Sequence, residues 1–326
     1  MSKYVLKRVL LMIPILIGVA IMIFTLMFFV PGDPAEIILG NAATEAQVIA
    51  VREQLGLNQP YIVRLGSFLK ELFFHGSFGN SYIYGTDVGT ELMSRFPKTL
   101  ALAAFSILLS TVIGIPLGIR AATHANRAED RVSMFISMVG VSMPNFWLAL
   151  MLVLLFSLKL GWLPSSGAKG WQYYILPVLA NALGGIAGIA RLTRSSMLEV
   201  IRADYVTTAR AKGVPEHSVI YKHALPNALI PIITICGGRF GGQLGGTMVI
   251  ETVFSIPGIG AYLINSINNR DYNAVQGSVL YIAFTFGVVM LLVDLIYAYV
   301  DPRIKAQYEG QSKKRVKKVK GVGAGA

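Results

Sequence analysis

The sequence is short of charge. Asp, Glu, Lys and Arg make up 14% of its 326 residues, while apolar residues reach 54% and mean hydropathy is +0.59. Soluble domains carry about 25% charge, so an ordinary soluble domain is excluded. Intrinsic disorder needs low hydrophobicity and is excluded for the bulk of the chain. The single cysteine, Cys236, leaves no material for an intrachain disulfide or a multi-cysteine zinc site. Its 33 glycines follow no Gly-X-Y period, which excludes collagen. No G-x-x-x-x-G-K-[ST] phosphate cradle, H-E-x-x-H motif or G-x-S-x-G elbow occurs. His75, His124, His217 and His223 all fall in expected loops, so a membrane-embedded metal site or proton relay built on histidine is disfavoured. An integral-membrane enzyme is therefore the weaker class.

What the chain has in abundance is long apolar runs. A hydrocarbon core of ~30 Å needs ~20 mostly apolar residues per helix. Six runs qualify: Val9–Val30, Thr99–Ile119, Val132–Leu158, Tyr173–Ile189, Ala228–Phe254 and Val275–Val300. The first follows Lys3, Lys7 and Arg8 like a signal peptide. It is longer than a typical signal core and ends in Phe28-Phe29-Val30-Pro31 without a small-residue cleavage site, so it reads as a retained span. Pro144 is expected to kink the third span. Trp162 and Trp171 fit an aromatic belt at the outer interface.

The net charge of +12 looks at first like a nucleic-acid signature, but its distribution follows the spans. With the N-terminus cytoplasmic, segments 1–8, 120–131, 190–227 and 301–326 face inward and hold 20 basic and 7 acidic residues. Segments 31–98, 159–172 and 255–274 face outward and hold 8 of each. The positive-inside rule thus places both termini in the cytoplasm, and no nucleic-acid partner is called for. Arg239, Glu251 and Asp294 remain within the spans.

The chain divides into an N-terminal segment with the first span (1–30), an extracytoplasmic loop domain (31–98), a core of five spans (99–307) containing a cytoplasmic loop (190–227), and a basic tail (308–326). In the 31–98 loop, Thr44 and Gln47 have capping-box spacing, Val48, Val51 and Leu55 recur at helical intervals, and Gly56 can stop that helix. After Pro60, Tyr61, Leu65, Phe68, Leu69 and Leu72 form a second helical stripe, read as packing. A loop this large also has room to dock a partner. The tail run Lys313–Lys320 is either a solvated tail or a holder of anionic headgroups.

In the cytoplasmic loop, Asp204–Ala211 has good helix formers. Gly213 can end that helix, Pro215 can open the next, and Pro226 is expected to end it. The charges alone describe an ordinary linker. However, Thr207, Thr208 and Ala209, followed by Gly213, His223, Leu225 and Pro226, resemble the E-A-A-x-x-x-G-x(9)-I-x-L-P signature of importer permeases of the ATP-binding-cassette type. Thr207, Thr208 and His223 depart from the general pattern in a way expected of the dipeptide/oligopeptide/nickel branch. Arg95-Phe-Pro-Lys-Thr-Leu100, Val249–Gly260, Arg270-Asp-Tyr272 with Gln276-Gly277, Pro31–Pro34 and Leu55–Pro60 resemble the same branch, in particular the first of its two paired permeases. The resemblance covers residues 1–307.

The resemblance implies an all-α membrane protein with the six-helix fold of a type I importer permease. It implies a bacterial or archaeal cytoplasmic membrane. The expected partners are a second homologous permease, two ATPase subunits that bind ATP and Mg, an extracellular substrate-binding protein and the lipid bilayer, with short peptides as cargo. No cofactor is expected in this chain. Nickel, nickel chelates or oligosaccharides are alternative cargoes of the branch, and a secondary transporter or channel is the alternative class. In the family the cytoplasmic helix docks on an ATPase. Ala209 would then permit close approach, Gly213 would supply the bend, and Leu225 and Pro226 would set the exit into the fifth span.

The fifth span carries two glycine rows, Gly237/Gly241/Gly245 and Gly238/Gly242/Gly246. They serve either close helix packing or a translocation pathway with bare backbone on its wall. Arg239 sits in the same span. It is expected either to meet a substrate carboxylate or to pair with Asp294, Glu251 or the partner permease. Asp294 can also be explained by snorkelling.

Overall fold

The computed structural model describes residues 2–40 and 43–300, which are predominantly helical. The basic tail and its Lys313–Lys320 run lie outside them. The first span is α1 (Ser2–Phe29). Three short helices follow: α2 (Pro34–Leu39), α3 (Glu45–Gln54) and α4 (Tyr61–Lys70), the last widening into π turns through His75. The second span is α5 (Val88–Thr123), started by Asp87, which accepts a 2.7 Å bond from the Thr90 amide.

The third expected span is broken rather than kinked. Helix α6 (Ala128–Ser142) and α7 (Asn145–Leu152, with π turns to Lys159) meet at 96°. Pro144 forces Met143 into extended backbone, with φ −79° and ψ 125°, and then caps the next helix. Helix α8 (Gln172–Ile201) runs three turns beyond the expected end at Ile189. The fifth span also ends early. Helix α11 (Leu225–Gly246) stops at Thr247, and the rest of the expected run folds into α12 (Met248–Val253). Before α11 come α9 (Asp204–Ala211) and α10 (Glu216–Ser218, widening into π turns through Ala224). After α12 come α13 (Ile259–Asn268) and the last span, α14 (Tyr272–Val300). Among the described residues, five helices are long and apolar enough to cross a membrane, and six if the bent pair is one span.

The centre of the bundle is the α5–α8 seam. Ser106, Ser110, Gly114 and Gly118 recur every fourth residue along α5, and in lipid such small residues let backbones approach closely. Asn181 donates to Ser106 at 3.2 Å, and Ser110 donates to the Ala182 carbonyl at 2.9 Å. A Cβ on Gly118 would lie 2.5 Å from the Ala190 carbonyl, so only glycine fits.

Helix α1 is fastened to α14 at both ends. Arg8 pairs with Asp294 at 2.7 Å, while the Tyr272 hydroxyl donates to the carbonyls of Val30 (3.2 Å) and Gly32 (3.3 Å). The aromatic stripe of α4 packs on the same helix. Tyr61 lies 5.7 Å from Phe24 and 5.1 Å from Phe28, and Phe68 stacks on Phe24 at 5.2 Å. The capping box of α3 forms, with the Thr44 amide donating to Gln47 Oε1 at 2.9 Å. Arg52 of α3 donates to Asp33 at the start of α2, whose carboxylate holds the guanidinium above its ordinary pKa. No side chain of α3 is fully buried, so Val48, Val51 and Leu55 do not make a core face.

Candidate functional site

The segment singled out by its Thr-Thr-Ala and Gly spacing is a stiff elbow. Helix α9 ends in a Schellman motif: the Gly213 amide donates to the Arg210 carbonyl at 2.9 Å, and the Val214 amide to the Ala209 carbonyl at 3.3 Å. Gly213 stands at φ +75°, a left-handed geometry in which a side chain would be strained. Arg210, which sequence reasoning missed, braces the bend. It donates to both carboxylate oxygens of Glu216, at 3.1 and 2.8 Å, and to the Ile201 carbonyl at 3.3 Å. That carboxylate also raises the guanidinium's pKa above its ordinary value. At an exposed site this brace contributes about 0–1 kcal/mol.

The faces of the elbow differ. Ala209 is buried with Val206, Val219 and Ala224 against Ile119 of α5 and Met197 of α8. Its close approach is thus to the chain's own bundle, where an incoming partner was expected. Thr207, Thr208 and His223 are exposed, as are Tyr205 and Tyr221. Pro226 does not end a helix. The π turns of α10 run directly into α11, where Pro226 occupies the first turn. The widened register accommodates a residue that lacks an amide proton. His217 and His223 therefore lie in helical backbone and not in a loop. Beside the elbow, Arg194 of α8 grips Asp130 of α6 with bonds of 2.5 and 2.7 Å. They edge a cavity of about 480 Å³ with Asn126, Arg131 and Met134.

The two glycine rows of α11 have separate fates. A Cβ on Gly237 would overlap Val293, one on Gly241 would lie 3.0 Å from the Phe286 ring, and one on Gly245 would lie 3.1 Å from Ile282, all on α14. Among the described residues, nothing outside the helix's own backbone and adjoining residues lies within 4 Å of such an atom on Gly238 or Gly242. With exposed Asn227, Pro231 and Thr234, these two glycines form an open face of low apolar content. Gly246 ends the helix.

The three ionisable residues of the spans do not meet. Asp294 is taken by Arg8. Glu251 is wholly buried, and its carboxylate clasps the loop that follows α12. It accepts bonds from Thr99 (2.7 Å), Thr247 (3.0 Å) and the Ala261 amide (2.9 Å), while Thr99 accepts from the Ile259 amide at 2.9 Å. A Cβ on Gly258 would stand 2.5 Å from the same carboxylate. Glu251 is therefore a fastening for α13 and is fully used there. The 95–100 and 249–260 stretches, distant in sequence, meet in this clasp. A further stretch anchors nearby: Asp271 is buried, accepts from Ser81 and from the Tyr82 amide (3.1 Å), and the bare Gly277 packs on Val88 and Phe78. Arg239 makes no hydrogen bond or ion pair among the described residues, so the expected pairing with Asp294 or Glu251 does not occur. Its guanidinium lies against bare Gly188 of α8.

The comparisons with known proteins define the class. Residues 114–306 match the family described as binding-protein-dependent transport system inner membrane component, and residues 1–103 match that system's N-terminal membrane component. The chain belongs to this family, as a multi-pass membrane permease of the ATP-binding-cassette importers. Among individual relatives, it is 42% identical to the dipeptide transport system permease protein DppB of Alkalihalophilus pseudofirmus, over 94% of this chain and 100% of the relative. It is 44% identical to the glutathione transport system permease protein GsiC of Salmonella choleraesuis and 43% to that of Escherichia coli K12, each over 94% of this chain and 99% of the relative. A solved inward-facing structure of the MetNI methionine transporter shares the fold. Its TM-score is 0.55 at 21% identity, over 64% of this chain and 96% of that one.

Proposed function

We propose that the chain is the translocating permease subunit of an ATP-driven importer of di- and oligopeptides. The observation that carries this reading is near-full-length likeness to relatives named for a dipeptide and for glutathione, both short peptides. The chain works beside a second homologous permease, with the open Gly238/Gly242 face of α11 turned toward the shared pathway. Both termini and the elbow lie in the cytoplasm, and the 31–98 segment faces outward, where a substrate-binding protein docks. ATP and Mg are bound by two separate ATPase subunits, so this chain hydrolyses nothing itself.

The elbow supports a coupling role because its buried side is continuous with α5, α8 and α11. A push on exposed Thr207 and Thr208 therefore moves three spans as one body. Ligand and nucleotide shift the populations of the two access states by their differential affinity for them. Gly213→Val strains the left-handed residue by about 1–2 kcal/mol and alters the bend. The expected outcome is a normally inserted complex whose ATP hydrolysis no longer drives uptake, and full peptide-driven uptake in that variant counts against the lever. The cargo is tested by competing labelled short peptides against nickel and oligosaccharides in cells with and without the gene. Competition by unlabelled peptide is the expected result, and competition by nickel or sugar alone overturns the assignment.

A further inference from the structure

A guanidinium without a partner at membrane depth calls for an explanation. An unpaired charge there costs several kcal/mol and persists only beside a polar cavity or a counter-charge. Arg239 lies about 21 Å along α11 from Leu225, at 1.5 Å per residue. Its Nε is buried with no acceptor among the described residues, and the residue as a whole is half-buried. One turn further on the same side of the helix, Gln243 Oε1 is also buried without a donor. The site has a built floor. Gly188 is buried, and a Cβ on it would collide with Nη2 and lie 2.9 Å from Cζ. Both acids that share the spans are engaged elsewhere, Glu251 by Thr99, Thr247 and the Ala261 amide, and Asp294 by Arg8. Around the helix from Arg239 comes the open Gly238/Gly242 face.

We infer that Arg239, seated on Gly188, receives the terminal carboxylate of the peptide as it crosses the membrane, with Gln243 accepting from a peptide N–H. This rests on the peptide reading above. The guanidinium offers a planar fork of donors that matches a carboxylate, and such charge-assisted pairs are strong where water is excluded. Contact with one group common to all linear peptides leaves side chains unread, which suits a pathway that must pass many sequences.

The test uses the complete complex with its binding protein in proteoliposomes. Uptake of a peptide with a free C-terminal carboxylate is compared with uptake of its C-terminal amide, for the wild type, Arg239→Gln and Gly188→Ala. The second variant keeps the charge and removes its seat. In both variants the carboxylate-to-amide uptake ratio should fall by about tenfold or more, as expected for losing a hydrogen bond to a charged group, with the complex assembled and basal ATP hydrolysis retained. An unchanged ratio, or equal loss for both peptides, overturns the inference. Failure of Arg239→Gln to retain the second permease also overturns it, in favour of an ion pair between subunits. A wild-type complex that transports neither peptide defeats the peptide reading instead.

Discussion

The α5–α8 seam and the open face of α11 are built from the same residue type to opposite ends. In the seam, Gly114, Gly118 and Gly185 bring two backbones together, and any side chain would enter a neighbour. On α11, a side chain on Gly238 or Gly242 would meet no neighbour among the described residues. The seam is a fixed wall. The open face is left uncovered by the described residues. Between them lies the Gly237/Gly241/Gly245 row, which packs on side chains of α14 and not on backbone. Glycine in a membrane helix thus has at least three environments here, graded by how far the neighbour can yield.

Three substitutions break or sharpen that gradation. Gly118→Val should do most damage, because the Ala190 carbonyl 2.5 Å from the new Cβ cannot move without moving α8. The expected loss exceeds about 3 kcal/mol, the upper end for overpacking, and should appear as absence of monodisperse protein in detergent. Gly237→Ala should cost less, about 1–3 kcal/mol, since the obstacle is the Val293 side chain and not helix backbone. A lowered Tm of the purified protein measures it. Gly242→Ala should leave Tm unchanged or raise it slightly, because alanine favours helix by up to about 1 kcal/mol over glycine. Equal Tm losses for Gly237→Ala and Gly242→Ala would erase the distinction between the rows.

Much of this was legible in the sequence, and the failures share a cause. Hydropathy marks where apolar backbone runs, so the spans stand out. It averages over breaks, so the stop at Thr247 was hidden inside an apolar run, and Pro144 read as a kink although it turns the chain by 96°. Pro226 looked like a terminator because π turns, which relieve its ring clash, leave no mark in local composition. The small-residue period of Ser106, Ser110, Gly114 and Gly118 stands in the sequence, but it was the packing of α5 on α8 that gave it meaning. The role of Glu251 was not legible, because its partner Thr99 lies 152 positions away. For the elbow, the turn glycine was readable, whereas the inward face of Ala209 and the brace from Arg210 to Glu216 depend on tertiary contacts.

The double fastening of α1 to α14 bears on how the molecule is made. Of the described helices, the first in chain order is tied to the last, through Arg8 and Asp294 at one end and Tyr272 at the other. Contacts of such long sequence separation form late. During synthesis, α1 must therefore sit in the bilayer without its permanent neighbour. Its largely apolar surface suits that wait, and the Arg8–Asp294 pair forms only once α14 is in place. A chain cut short before Tyr272 therefore lacks both fastenings of α1, whereas one cut between Tyr272 and Asp294 keeps the first and lacks the second.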